Sequence, residues 1–367
     1  MTFRRALVPG LLGGLLLAGL LWWAGASTRA LGLPGAGQFF GPEGATQLRG
    51  WLAPWSYGPP SSAQYGSPVG APGSGQAYAG LHRTGMQVRY VTLVVFYLCG
   101  AAPLVRRLAP GGAKRSASLL LALWGWGLVA GTLAVVVSAP WLVASGGHGG
   151  FRLLPRLSGE MAAGRQVLVV AALVASVGAL VASAVVRRGG ERPSSPGVPV
   201  RAARLAATLG TAVVAVSLVV LSYEKVAARI QTGFSGIGPF EELGDLLRQW
   251  LLLGGWSAPS SYYPFGTWLL HRLPDLLLLA VVWWGLRLLA DRLDRVTVPA
   301  FAVGAVSVTV LGLLLSQLCA TLLDAAQVGG SFVSYAGRFG EGVPAALVFG
   351  LLAGALSAVV ARPRIGI

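Results

Sequence analysis

Two histidine–arginine pairs, His82-Arg83 and His271-Arg272, are the residues in this chain best suited by type and spacing to chemistry. A titratable imidazole beside a permanent cation suits an anion or a lipid headgroup. Each pair closes the same series of residues. The first runs Gly41-Pro42, Leu48-Arg49-x-Trp51, Trp55-Ser56, Pro60-Ser61-Ser62 and Leu81-His82-Arg83. The second runs Gly238-Pro239, Leu247-Arg248-x-Trp250, Trp256-Ser257, Pro259-Ser260-Ser261 and Leu270-His271-Arg272. Two carboxylates recur in the same way, Glu160 after Arg156 and Gly159, and Glu341 after Arg338 and Gly340. Brought together from both copies, they could serve as acid and base or hold a cation.

A plainer reading stands beside each of these. An Arg at the membrane interface snorkels to the headgroups while its neighbouring His caps a helix start. A Glu three or four residues after an Arg pairs with it locally on a helix surface. The sequence favours the plainer reading in both cases. His148 stands alone in the Gly146–Gly150 run, whereas zinc needs three or four converging ligands. The run also lacks the Lys-Ser/Thr of a phosphate loop. No catalytic, cofactor-binding or metal residue is therefore assigned. His82, Arg83, His271, Arg272, Trp51, Trp250, Glu160 and Glu341 are the candidates for an interaction surface.

The elements that position these residues are apolar. A helix crossing about 30 Å of hydrocarbon needs about 20 apolar residues. Eight segments qualify, at roughly 6–26, 88–105, 117–144, 166–186, 205–223, 273–290, 298–322 and 343–361. The third and seventh are long enough to tilt or to extend past the bilayer. The first imitates a signal peptide, with Arg4-Arg5, an apolar run and Ala24-Gly25-Ala26. Its apolar run is long for one and has a counterpart at 205–223, so it is expected to stay as a span. The predicted fold is all-α and polytopic, with about eight transmembrane helices in two tandem four-helix repeats. The first repeat is 1–195 with a long loop 27–87, and the second is 196–367 with a loop 224–272. An even-numbered unit repeats in one orientation, which predicts a pseudo-two-fold along the membrane normal.

Orientation follows from basic residues in the loops. With the N-terminus inside, Arg4-Arg5, the 106–115, 187–204 and 287–295 loops and the Arg362/Arg364 tail hold 16 of the 28 basic residues. Their only acids are Glu191, Asp291 and Asp294. Both termini are therefore expected in the cytoplasm. On the outer side, residues 240–253 place Phe240, Leu243, Leu246, Leu247, Trp250 and Leu251 at helical spacing. Glu241, Glu242, Asp245, Arg248 and Gln249 fall opposite, which predicts an amphipathic helix along the interface. The 42–52 stretch reads as a shorter version of it, and 57–80 as an irregular lobe low in complexity. Trp22-Trp23, Trp51, Trp55, Trp250, Trp256 and Trp268 read as an aromatic belt. Gly127-x-x-x-Gly131 and Gly350-x-x-x-Gly354 are expected to pack helices inside the bundle.

Composition excludes the soluble classes. Of 367 residues, 54% are hydrophobic and 11% charged, less than half the charge of an ordinary soluble domain. The net charge of +16 follows the inner loops and gives no case for nucleic acid. No ionisable residue is placed clearly in the middle of a predicted span, which argues against proton relays and intramembrane enzymes. Cys99 and Cys319 read as buried inert thiols. Lys occurs only at Lys114 and Lys225, and Asn is absent, a codon bias expected of an actinobacterial genome.

In its Leu/Ala/Gly/Val excess, Arg-rich inner loops and long outer loops, the chain resembles the streptophobe-type proteins of Streptomyces and relatives. These are very hydrophobic multi-span membrane proteins, and the resemblance implies no catalytic residues. The expected function is a non-enzymatic protein of the bacterial cytoplasmic membrane, permease-like or part of an assembly, with an outward interaction surface. Its partners would be the bilayer and other membrane proteins. The alternatives are a transporter or channel for a lipid-like or apolar substrate, and an enzyme at the outer face.

Overall fold

The computed structural model describes residues 3–32, 36–59, 74–108, 113–146, 153–186, 199–234, 243–254, 265–292, 297–328 and 336–361. Among them the fold is all-helical, with no strand element. The spanning helices are α1 (Phe3–Ala26), α3 (Ser74–Arg107), α4 (Ala113–Ser145), α6 (Arg165–Val186), α7 (Val200–Ala215), α11 (Leu273–Arg292), α12 (Val298–Val328) and α13 (Val343–Ala361). Five shorter helices accompany them: α2 (Ala36–Leu52), α5 (Leu153–Ala162), α8 (Glu224–Thr232), α9 (Leu243–Leu251) and α10 (Phe265–Leu270).

Among the described residues, eight helices are long and apolar enough to cross a bilayer, at the eight places that the apolar runs predict. In hydrocarbon every backbone group needs an internal partner, so long Leu/Val/Ala runs settle as helices. Their outward faces expose residues such as Leu12, Val91, Val170, Leu276 and Val359, as lipid contact requires. The chain is a multi-pass integral membrane protein.

In the first half, α1, α3, α4 and α6 each touch the next and α6 returns to α1. In the second, α7, α11, α12 and α13 close a ring in the same order. The halves meet mainly along α4 and α12, the third spanning helix of each. A Cβ on Gly125 would lie 2.6 Å from the Ser307 carbonyl oxygen, so glycine is what lets these backbones touch. Gly127 faces Ala172 and Gly131 faces Leu168, while Gly350 and Gly354 face α12. Both expected small-residue seams lie inside the bundle.

Three local expectations change. The second span begins at Gln76 and helix α3 at Ser74, so the last turns of the supposed lobe 57–80 are helical. Residues 60–73 of that lobe lie outside the described residues. The amphipathic stretch is helix α9, but it packs against α5, α8 and α13. Ser217 in the π-helical turn after α7 donates to the Leu251 carbonyl, fastening α9 further. Phe240, Glu241 and Glu242 lie outside the described residues. Cys99 is exposed on the face of α3 turned away from the core, contrary to the expected burial, and Cys319 is half-buried.

Candidate functional site

Two polar constructions stand at the end of the bundle that carries the long loops. The first is built around Arg89, which is 0% exposed within α3. His82, Met86, Arg89, Leu93 and Tyr97 recur at helical spacing and are all buried, so Arg89 stands on the inward face. Its Nε donates to Ser138 Oγ of α4 at 2.8 Å and its Nη1 donates to the Pro54 carbonyl. Its Nη2 lies 3.8 Å from Glu160 Oε2 on α5, and the guanidinium sits 5.6 Å over the Trp55 ring. Three separate pieces of the chain therefore converge on one cation. Ionisable groups inside a span persist only when partnered in this way.

Trp55 is itself wholly buried and donates from Nε1 to the Gly164 carbonyl at 2.9 Å. Tyr90 donates to the Trp55 carbonyl at 2.7 Å and stacks on Tyr57 with ring centroids 5.4 Å apart. Partial burial pushes the Tyr57 phenol up from its ordinary value. Gly164 takes φ 71°, which a side chain would strain, and so turns the chain from α5 into α6 beneath Trp55.

The second construction is a cleft of about 830 Å³ where the two halves meet. Helices α5 and α6 supply one wall through Ser158, Met161 and Arg165. The other walls come from α9, the start of α11, the far part of α12 and the 338–344 turn. Gln249 donates to the Ser158 carbonyl at 2.9 Å and Gln166 to the Gly337 carbonyl at 2.6 Å, so hydrogen bonds cross the junction on both sides. The Gln317 side chain fixes the last turn, accepting from Gly340 N and donating to the Glu341 carbonyl.

Charged groups of both signs line this cleft. Arg272 meets Asp275 at 2.8 Å, and Arg338 meets Asp324 at 3.0 Å. His271 Nε2 stands 3.9 Å from the other Asp324 oxygen. Gln231 donates to Asp245 at 2.9 Å and accepts from Arg248 at 3.0 Å. Arg165 buries its Nε without a hydrogen-bond partner, with Glu341 as its electrostatic countercharge. Leu218, Leu252, Leu278 and Leu313 are buried and line the apolar side.

The structure gathers His271, Arg272 and Glu341 into the cleft and sends the other candidates elsewhere. His82 is buried, with Nε2 3.4 Å from the Ser56 carbonyl. It lies in the interior of α3, not at a re-entry point, because that helix starts earlier than its apolar run. His271 does stand at a break between α10 and α11, so the two matched pairs occupy different settings. Arg83 is exposed, Trp51 is half-buried on α2, and Trp250 packs against the core from α9.

The expected local ion pairs give way to longer-range ones. Glu160 faces Arg89 of α3 and Arg338 faces Asp324 of α12, each pair joining packed neighbouring segments. Arg89, at the start of the apolar run 88–105, lies within the longer Gln76–Arg107 helix and is buried against Pro54 and Trp55 of the preceding segment. Trp55 belongs to the protein core instead of an aromatic belt, and Trp256 lies outside the described residues. His148 also lies outside them. Among the described residues, no group of three His, Cys, Asp or Glu is placed to hold a metal. No protein-family model, curated protein sequence or solved structure matches this chain.

Proposed function

We propose that the chain is a non-enzymatic protein of the bacterial cytoplasmic membrane, with both termini cytoplasmic and the cleft opening outward. It acts as a permease-like or assembly component whose ligand or partner engages that cleft. The observation that carries this reading is the 830 Å³ cleft, because both halves build it and charged groups of both signs line it. Its size falls among pockets that take small ligands, roughly 300–1,000 Å³. The excess of Arg in the loops at the opposite end supports the orientation. Tandem duplication and kinship with the streptophobe-type proteins belong to the same proposal. The matched residue series and the two rings of like order support the duplication.

A channel between the halves for a lipid-like substrate is the second reading. The apolar side of the cleft favours it. The seam of Gly125 against Ser307 weighs against it, because backbones in contact leave no passage there. An enzyme built on His82, His271, Glu160 and Glu341 has less support. His82 and Glu160 are engaged at the Arg89 cluster, while His271 and Glu341 line the cleft.

Reporter fusions at residues 70, 195 and 255 test the arrangement and should read outside, inside and outside. A cytoplasmic signal at 255 would overturn the orientation. Pull-down of the full chain in mild detergent tests the role. The Arg248→Glu variant should lose whatever membrane component the parent recovers, and equal recovery would remove the cleft from the interaction.

A further inference from the structure

We propose that the cleft binds a zwitterionic amphiphile whose polar end carries a phosphate and a primary ammonium, with an acyl chain attached. This rests on the reading of the cleft as the functional surface. The charges point to that headgroup by subtraction. Arg272 and Arg338 are matched within the wall by Asp275 and Asp324, at 2.8 and 3.0 Å. Two cations, Arg165 and Arg248, and two anions, Asp245 and Glu341, form no such close pair, and Glu341 acts on Arg165 only from beyond salt-bridge distance. Arg165 leaves its buried Nε unsatisfied, and Arg248 donates to the neutral Gln231 amide. The same amide holds Asp245, so that cation and anion are bridged and kept apart.

A cleft with two such cations and two such anions answers a ligand that carries both signs. A plain anion would satisfy the arginines and face two carboxylates, and a plain cation would meet the reverse penalty. Phosphate oxygens fit guanidinium donors, where charge-assisted hydrogen bonds are strongest. A primary ammonium has three donors for the Asp245 and Glu341 carboxylates. The half-buried Ala162, Ala320 and Leu323 line the cleft over the packed Leu218, Leu278 and Leu313, and there an acyl chain gains from leaving water.

The test is equilibrium binding of radiolabelled phosphatidylethanolamine to the full-length protein in detergent micelles. One saturable site is expected, and absence of saturable binding overturns the proposal. Arg165→Gln and Arg248→Gln should each weaken binding about tenfold, equivalent to about 1.4 kcal/mol. Thermal unfolding of each variant identifies folded protein, and two variants on opposite walls guard against the loss of one. Glu341→Gln should weaken phosphatidylethanolamine while leaving phosphatidylglycerol no weaker. If phosphatidylglycerol competes on equal terms with the parent protein, the zwitterionic assignment fails. Full competition by soluble glycerophosphoethanolamine at matched concentration would overturn the acyl component and leave a site for the free headgroup. Detergent binding does not depend on which membrane face the cleft opens to. A cytoplasmic reporter at 255 therefore sinks the orientation without touching this result, and failed binding leaves the topology standing.

Discussion

The Arg89 guanidinium and the Glu160 carboxylate stand 3.8 Å apart, one wholly buried in a spanning helix and the other 39% exposed on a short one. The contact joins α3 to α5, the helix that forms one wall of the cleft. The two ends of the pair are unequal in energy. Arg89 holds three segments through Ser138, Pro54 and Glu160, while Glu160 remains partly in water.

Replacing Arg89 with Met should therefore cost far more than replacing Glu160 with Gln. Each hydrogen bond to a charged group contributes about 1.5–3 kcal/mol, and the Met variant loses two of them. An ion pair as exposed as Glu160 contributes about 0–1 kcal/mol. Thermal unfolding in detergent should show a large drop for Arg89→Met and a small one for Glu160→Gln. Arg89→Lys should fall between them, because one ammonium cannot reach Ser138 and Pro54 in the same fork. Equal small losses for both Arg89 variants would remove the cluster from any structural role.

The spans were readable in the chain because each is a local signal. An uninterrupted run such as Leu276–Trp284 declares a helix without reference to anything else. The Arg89 cluster was not, because its partners lie 35 and 49 residues away and only packing brings them together. A local hint existed. The His82, Met86, Arg89, Leu93, Tyr97 spacing puts Arg89 on an apolar face, but the run 88–105 places it at a helix end. The α9 stretch shows the converse limit. Its period was legible, yet a polar face reads the same whether it meets water or lines a cleft.

Trp55 supports the same end of the bundle from the loop side. It is fully buried and reaches Gly164 across the first half. Removing so large a side chain leaves a cavity, and Trp55→Ala should cost about 3–5 kcal/mol. Trp55→Phe keeps most of the volume but orphans the Gly164 carbonyl, so its loss should be smaller and still measurable. A chemical-denaturation series on both variants reads the difference. Identical midpoints would show that the indole hydrogen bond contributes nothing.

Gly354 sits against α12 so closely that a Cβ would lie 2.6 Å from Ala302 Cα. Gly354→Val should force α12 and α13 apart, and overpacking of this kind costs about 1–3 kcal/mol. The seam is internal, so the oligomeric state should not change. Size-exclusion chromatography with light scattering separates the two outcomes. A changed subunit number with unchanged melting temperature would relocate this seam to the protein surface.

Cys99 offers a probe of where the bilayer lies along α3. Val91, Val95 and Cys99 are exposed at four-residue spacing, so they share the face turned away from the ring. Cys99 precedes the Arg106-Arg107 end of the helix by about two turns, roughly 10 Å along the axis. Lipid should cover it there. In sealed membranes a small permeant maleimide should reach Cys99 slowly, because the reactive thiolate forms poorly out of water. A charged, impermeant maleimide should leave it unlabelled from either side until the protein is unfolded. The Cys319→Ser variant assigns the signal to Cys99 alone. Rapid labelling of that variant by the impermeant reagent would mean that this face of α3 meets water, and the second span would have to be redrawn.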